Sequence, residues 1–379
     1  MAGWLAVTLG ACARFDFDPL QGSSGASAAS AGSAGDGNAA APGVGGAGSG
    51  GQAGSAAGGD GASGDAGAGG LGGSGGADGA AGTDGVGGST DAGPSGIGGS
   101  SGAGGSSGDE LPPCSVLGSF GAPEPLTGLG AGSFFSPAVF DDAHVLIFAS
   151  SSPGDLFSAR RATRGSPAFG DVSPLSVNTS SAEVTPWLSA DGLELLFASD
   201  RSGAQSPRDL MRTTRPSLDA PFATPTFITE VNSFWTENLP SLHANGRLLV
   251  FSSDRPGGAG IMDLWQASRP GATGPFGNAG SIAALNGSSD DSGATLTGDA
   301  RRVYFTSERP GGAGGRDLWF AERTDAGATF SAPRNLSEIN GTADEADPAI
   351  SADDRELFFA TSRAGGSQLW HALRTCISP

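Results

Sequence analysis

Lysine is absent from this 379-residue chain, so all 20 of its basic residues are arginine. That bias reflects a GC-rich genome and does not bear on activity. The basic residues face 39 acidic ones, giving a net charge of −19. Such a balance lacks the cationic surface that non-specific nucleic-acid binding requires. No run of 18 apolar residues occurs, so no segment is long and apolar enough to cross a membrane as a helix. Histidine is scarce: His144, His243 and His371 are the only three. They stand at unrelated positions, and no Ser-His-Asp order, metal-ligand cluster or phosphate loop appears in a supporting context. No residue set names a reaction, and no cofactor is expected.

What the chain does have is a period. Phe197, Phe251, Phe305 and Phe359 recur every 54 residues. Glu183, Glu237, Asp291 and Glu345 keep the same step, as do Asn232, Asn286 and Asn340. Asp209, Asp263 and Asp317 keep it too, each just before a leucine. A fixed period over this much chain marks a repeat architecture. Within one unit, Glu237 to Asn286, the pattern is all β. Pro240 to His243 predicts a strand, and Asn245-Gly246 a hairpin turn. Leu248 to Ser252 predicts a buried strand, and Asp263 to Ser268 an alternating one. An irregular fourth runs from Phe276 to Asn286. Four meandering strands per unit predict a β-propeller blade.

The fourth-strand pattern opens at Phe120, Phe169, Phe222, Phe276 and Phe330, five copies in all. The three-strand core opens at Pro137, Pro186, Pro240, Ala294 and Pro348, again five. The first fourth strand precedes any core, and the last core lacks a fourth strand. The expected fold is therefore an all-β, five-bladed propeller of four-stranded antiparallel blades over residues 111–379. The Phe120 strand completes the last blade, which removes the open edges of the ring. Cys114 lies just before that orphan strand and Cys376 just after the last core strand. Ring closure makes them neighbours, so a disulfide is expected in an exported protein.

Residues 1–12 read MAGWLAVTLGAC, and Leu9-Gly10-Ala11-Cys12 resembles a bacterial lipobox. By that resemblance the chain is cut before Cys12, whose thiol carries diacylglycerol. Residues 13–110 form a low-complexity stretch, made almost entirely of Gly, Ala, Ser and Asp from residue 20 onward. They cannot bury enough apolar area to offset their ordering entropy, which predicts a disordered tether. As a Gly-rich coil it spans about 50–55 Å r.m.s.. The expectation is a monomer at the cell envelope, joined to the outer membrane by a lipid anchor only.

The run from Pro186 to Arg201, PWLSADGLELLFASDR, resembles the WD40-like repeat of TolB-type β-propellers. Ser253 to Gly258 and Gly314 to Trp319 resemble a subgroup found in bacterial envelope proteins. The likeness covers residues 115–376 and is specific for the repeat. It implies a propeller acting in molecular interaction.

Most repeated residues have a structural reading. Asp191-Gly192 and Asn245-Gly246 suit turns that need φ > 0. Phe197 and its equivalents suit the core between blades. Arg201, Arg255, Arg309 and Arg363 recur with Glu183, Glu237, Asp291 and Glu345, which predicts an ion pair in each blade. The other reading is a carboxylate ring at the channel mouth, holding a cation such as Ca²⁺. Function is expected where repeats differ, on the face where strands 4 and 1, and strands 2 and 3, are joined. Phe134 and Phe135 replace the carboxylate in the first core, and Trp235 interrupts another loop. With the four carboxylates they form the candidate binding face for a protein or glycan ligand. The alternative is a glycoside hydrolase using two channel carboxylates roughly 5–9.5 Å apart.

Overall fold

A strand of alternating apolar residues must bury one face, and each unit does so against its neighbours around a ring. The structure, a computed structural model, describes Leu111 and residues 114–140, 142–152 and 154–378. The expectations for Cys12 and for residues 13–110 lie outside these. Two short strands come first, β1 (Val116–Phe120) and β2 (Glu124–Pro125). Blade 1 holds β3 (Phe134–Phe140), β4 (Val145–Ser150), β5 (Leu156–Arg160) and β6 (Gly170–Pro174). Blade 2 holds β7 (Glu183–Leu188), β8 (Glu194–Ser199), β9 (Asp209–Thr214) and β10 (Thr226–Phe227). Blade 3 holds β11 (Glu237–Leu242), β12 (Leu248–Ser253), β13 (Asp263–Ser268) and β14 (Gly280–Ser281). Blade 4 holds β15 (Asp291–Leu296), β16 (Arg302–Ser307), β17 (Asp317–Glu322) and β18 (Arg334–Asn335). Blade 5 holds β19 (Glu345–Ile350), β20 (Glu356–Thr361) and β21 (Gln368–Ser378).

The fourth strands are shorter than the sequence pattern suggests, two residues in blades 2, 3 and 4. What fixes the outer segment instead is side-chain chemistry. Arg215, Arg269 and Arg323 lie 4.6, 4.4 and 4.3 Å from the ring centroids of Phe222, Phe276 and Phe330. Each also donates through Nε to a carbonyl of its own blade's hairpin turn: Gly192, Gly246 and Ala300. Arg161 over Phe169 and Arg374 over Phe120 repeat the stacking in blades 1 and 5.

Ring closure follows the expected scheme. Strand β21 pairs with β2 through Glu124↔His371 and Pro125↔Trp370, and with β1 through Phe120↔Arg374 and Leu117↔Cys376. The pairing with β1 carries β21 beyond the blade as a two-stranded ribbon. Cys114 and Cys376 form a disulfide there, with Cα atoms 5.6 Å apart. At the seam, Arg161 of blade 1 donates to both oxygens of Glu356 in blade 5, at 2.8 and 2.6 Å. His371 Nδ1 lies 2.7 Å from Glu356 Oε1, and all three side chains are fully buried.

Strands β3, β7, β11, β15 and β19 are innermost. Each carries a bulge with one residue in the left-handed region: Ser136, Thr185, Leu239, Gly293 and Asp347. Proline follows four of the five, tolerated because the bulge removes a ladder hydrogen bond.

Candidate functional site

The ring has two unlike faces. One, the loop face, carries the connections from strand 4 to strand 1 and from strand 2 to strand 3. The other, the hairpin face, carries the tight turns between strands 1 and 2 and the loops between strands 3 and 4.

On the loop face the four repeated carboxylates open strands β7, β11, β15 and β19 and are fully buried. Arg201 pairs with Glu183 at 3.0 Å, Arg255 with Glu237 at 2.7 Å, Arg309 with Asp291 at 2.5 Å and Arg363 with Glu345 at 2.9 Å. Each pair lies within one blade. Glu183 and Glu237 also accept from a backbone N–H and a hydroxyl four residues back, at Thr179 and Ser233. Burial pushes the carboxyls of Asp291 and Glu345 above their ordinary values, and the hydrogen bonds and guanidinium charge beside them offset only part of this. These groups clasp loops and do not face a ligand. The pairing in every one of these blades favours the ion-pair reading over a cation ring, because each carboxylate already has a cationic partner in arginine. Phe134 is 7% exposed and Phe135 is 0% exposed. Phe134 packs edge-on against Phe148, with centroids 5.1 Å apart. Both phenylalanines are core, so they too leave the candidate surface.

The repeated asparagines are clasps as well. The side chain of Asn286 accepts from Leu264 N–H and donates to Leu264 C=O, both at 2.9 Å. Asn178, Asn232 and Asn340 repeat the pattern on Leu156, Leu210 and Leu318. The glycine-rich loops fold over buried Asp263 and Asp317. A Cβ on Gly258 would sit 1.9 Å from Asp263 Oδ2, and one on Gly312 would sit 1.8 Å from Asp317 Oδ2. The glycines therefore admit an aspartate cap, not a phosphate.

Two cavities lie along the ring axis, one of about 150 Å³ toward the hairpin face and one of about 70 Å³ within the inner strands; in the latter the lining includes Ser136 and Asp347. Small-molecule sites usually span roughly 300–1,000 Å³. Asp347 is the one carboxylate among the lining residues of the smaller cavity. It is 4% exposed and accepts from Ser136 N–H at 3.2 Å and from Ser136 Oγ at 2.7 Å, joining blade 5 to blade 1.

Trp235 remains, 46% exposed, and the structure adds two side chains that the sequence reading missed. Phe234 is 82% exposed and Ile261 is 72% exposed. All three stand on the loop face of blade 3. Their two loops are tied together by Thr236 N–H donating to Asp254 Oδ1 at 2.7 Å. A signal was present: Phe234 and Trp235 fill a loop that is Ser-Ser in blade 2 and Ser-Ser-Asp in blade 4.

The surrounding loops are acidic. Asp200, Asp254, Asp290 and Asp344 each accept a backbone N–H from a neighbouring loop through Oδ1, at 2.7–3.2 Å. Asp155, Glu230, Glu308 and Glu338 add four more carboxylates to this face. Outside the four buried pairs, two arginines among the described residues oppose these eight. Arg316 is paired with Glu308 at 3.2 Å. Arg208 is buried, which lowers its guanidinium to about 10. On the hairpin face, turns 142–144, 189–193, 243–247, 297–301 and 351–355 and loops 161–169, 215–225, 269–279 and 323–333 are nearly balanced. They hold eight arginines and, among the described residues, seven aspartates.

No protein-family model matches the sequence, and no curated protein matches it. Solved structures do. A TolB protein of Agrobacterium tumefaciens is 14% identical over 64% of this chain and 79% of its own, with a TM-score of 0.40. TolB from Acinetobacter baumannii is also 14% identical, over 64% of this chain and 55% of its own, with a TM-score of 0.40. An endo-arabinase from Bacteroides thetaiotaomicron is 10% identical over 68% of this chain and 98% of its own, with a TM-score of 0.47.

Proposed function

We propose that this propeller is a binding module that takes a protein partner on its loop face, and that it works outside the cytoplasm on a lipid anchor at Cys12. The observation that carries the reading is the exposure of Phe234, Trp235 and Ile261 on two tied loops of one blade. Large aromatic anchors of this kind dominate protein interfaces, where burying them supplies most of the binding energy. Exposure and export support each other. The Cys114–Cys376 disulfide suits an oxidising compartment. It also lies beyond the hairpin-face end of blade 5, because β21 runs from the loop face toward that end. A hydrolase has less support. The axial cavities, about 70 and 150 Å³, are small, and each is lined by one carboxylate, Asp347 or Asp142, where a pair is needed.

Photo-crosslinking tests the reading. A benzophenone amino acid placed at Phe234 should give a covalent protein adduct in cells. The same group at Leu218, exposed on the hairpin face, should not. Absence of an adduct at position 234, or equal adducts at both, overturns it.

A further inference from the structure

Resting on that reading, we infer that the partner offers a basic segment to the loop face, with arginine or lysine beside large apolar side chains. Two independent features meet there. Phe234, Trp235 and Ile261 supply apolar anchors in blade 3. Eight carboxylates against two arginines give the same face a net negative field, while the opposite face is close to neutral. Arg208 is buried with its charge acting on Asp200, and Arg316 is paired with Glu308, so Asp254 and Asp290 beside the anchors keep the excess negative charge.

Asp254 stands in the anchor loops themselves, and Asp290 closes the next loop by accepting from Met262 N–H, beside Ile261. Asp200 holds the corresponding place in blade 2 through Ala182 N–H. Each carboxylate is fixed through Oδ1, so ordering it on binding costs little side-chain entropy. Fixed anions around desolvating aromatics favour a cation with an apolar neighbour and reject acidic or anionic partners. Trp235 also offers a ring face to a guanidinium or ammonium group.

The test pans random dodecapeptides displayed on phage against the full chain. Selected peptides should pair arginine or lysine with leucine, isoleucine or an aromatic, and should be lost with Phe234→Ser/Trp235→Ser. A triple Asp200→Asn/Asp254→Asn/Asp290→Asn variant keeps each Oδ1 acceptor and removes three charges. It should bind a selected peptide about tenfold more weakly, and raising NaCl from about 50 to about 500 mM should weaken the parent to a similar extent. Selection of apolar peptides without basic residues overturns this inference and leaves the protein-binding reading standing. So does unchanged affinity in the triple variant. No selection above the Phe234→Ser/Trp235→Ser background, or binding confined to a glycan array, overturns both.

Discussion

The two faces of the ring are made from the same repeat, yet they put charge to opposite uses. On the hairpin face, arginines and aspartates are balanced and largely bound to each other or to the turns. Arg302 and Tyr304 both donate to Asp354, at 2.5 and 2.7 Å, and Arg164 bridges Asp142 and Asp353. On the loop face, arginine is drawn inward to clasp the strand-opening carboxylates, and the eight remaining acids are met by two arginines, Arg316 beside Glu308 and Arg208 near Asp200. Cations that serve the fold are thus unavailable to the surface. The acidic surface follows from how the repeat is held together.

If that contrast is right, the largest loss should come from the hairpin-face seam. Arg161→Ala leaves Glu356 buried beside His371 and should cost about 3–5 kcal/mol, read from urea unfolding midpoints. The pH dependence distinguishes the buried carboxylates one from another. Burial of Glu356 raises its carboxyl, but hydrogen bonds from His371 and Arg161 and the Arg161 charge outweigh this and hold it below 4.5. Its stabilisation is therefore present above 4.5 and lost as pH falls through the lower folded value. Asp291 is the reverse, raised above 3.8, so it favours the folded state when protonated and loses that contribution as pH rises. Glu356→Gln should flatten the acid limb of a stability–pH curve, and Asp291→Asn should steepen it. Asp354, raised by burial on the hairpin face, sides with Asp291 in this respect.

Phe134→Ala should cost about 3–5 kcal/mol although it stands beside the candidate surface, because the ring is core. Crosslinking at position 234 in the surviving folded fraction should be unchanged. Cys114→Ser/Cys376→Ser should lose about 2–4 kcal/mol while keeping the propeller's circular dichroism spectrum, since blade packing supplies most burial. The smallest effect on stability belongs to Phe234→Ser/Trp235→Ser, within about 0.5 kcal/mol, with loss of binding to a selected peptide. A loss comparable to that of Phe134→Ala would make these rings core and merge the two classes.

The fold was legible because it rests on relations along the chain. The 54-residue step, the glycine and aspartate turns, and the offset between Phe120 and the last core are all linear facts. Together they specify five blades and a seam closed by Cys114 and Cys376. Exposure was not legible in the same way. Phe134 and Trp235 both occupy loops that break the repeat, and by residue type either suits core or surface. Phe148 covers one, and the other is left 46% exposed. Glu183 and its equivalents read equally well as ligand groups or clasps until Arg201 and its equivalents are seen to reach them. The chain order of apolar, turn and cysteine residues therefore determined the architecture, because period and pairing depend on local pattern and on strand edges seeking partners. Only packing decided which aromatics and carboxylates face solvent, because burial depends on what the neighbouring strands and loops bring to the same point.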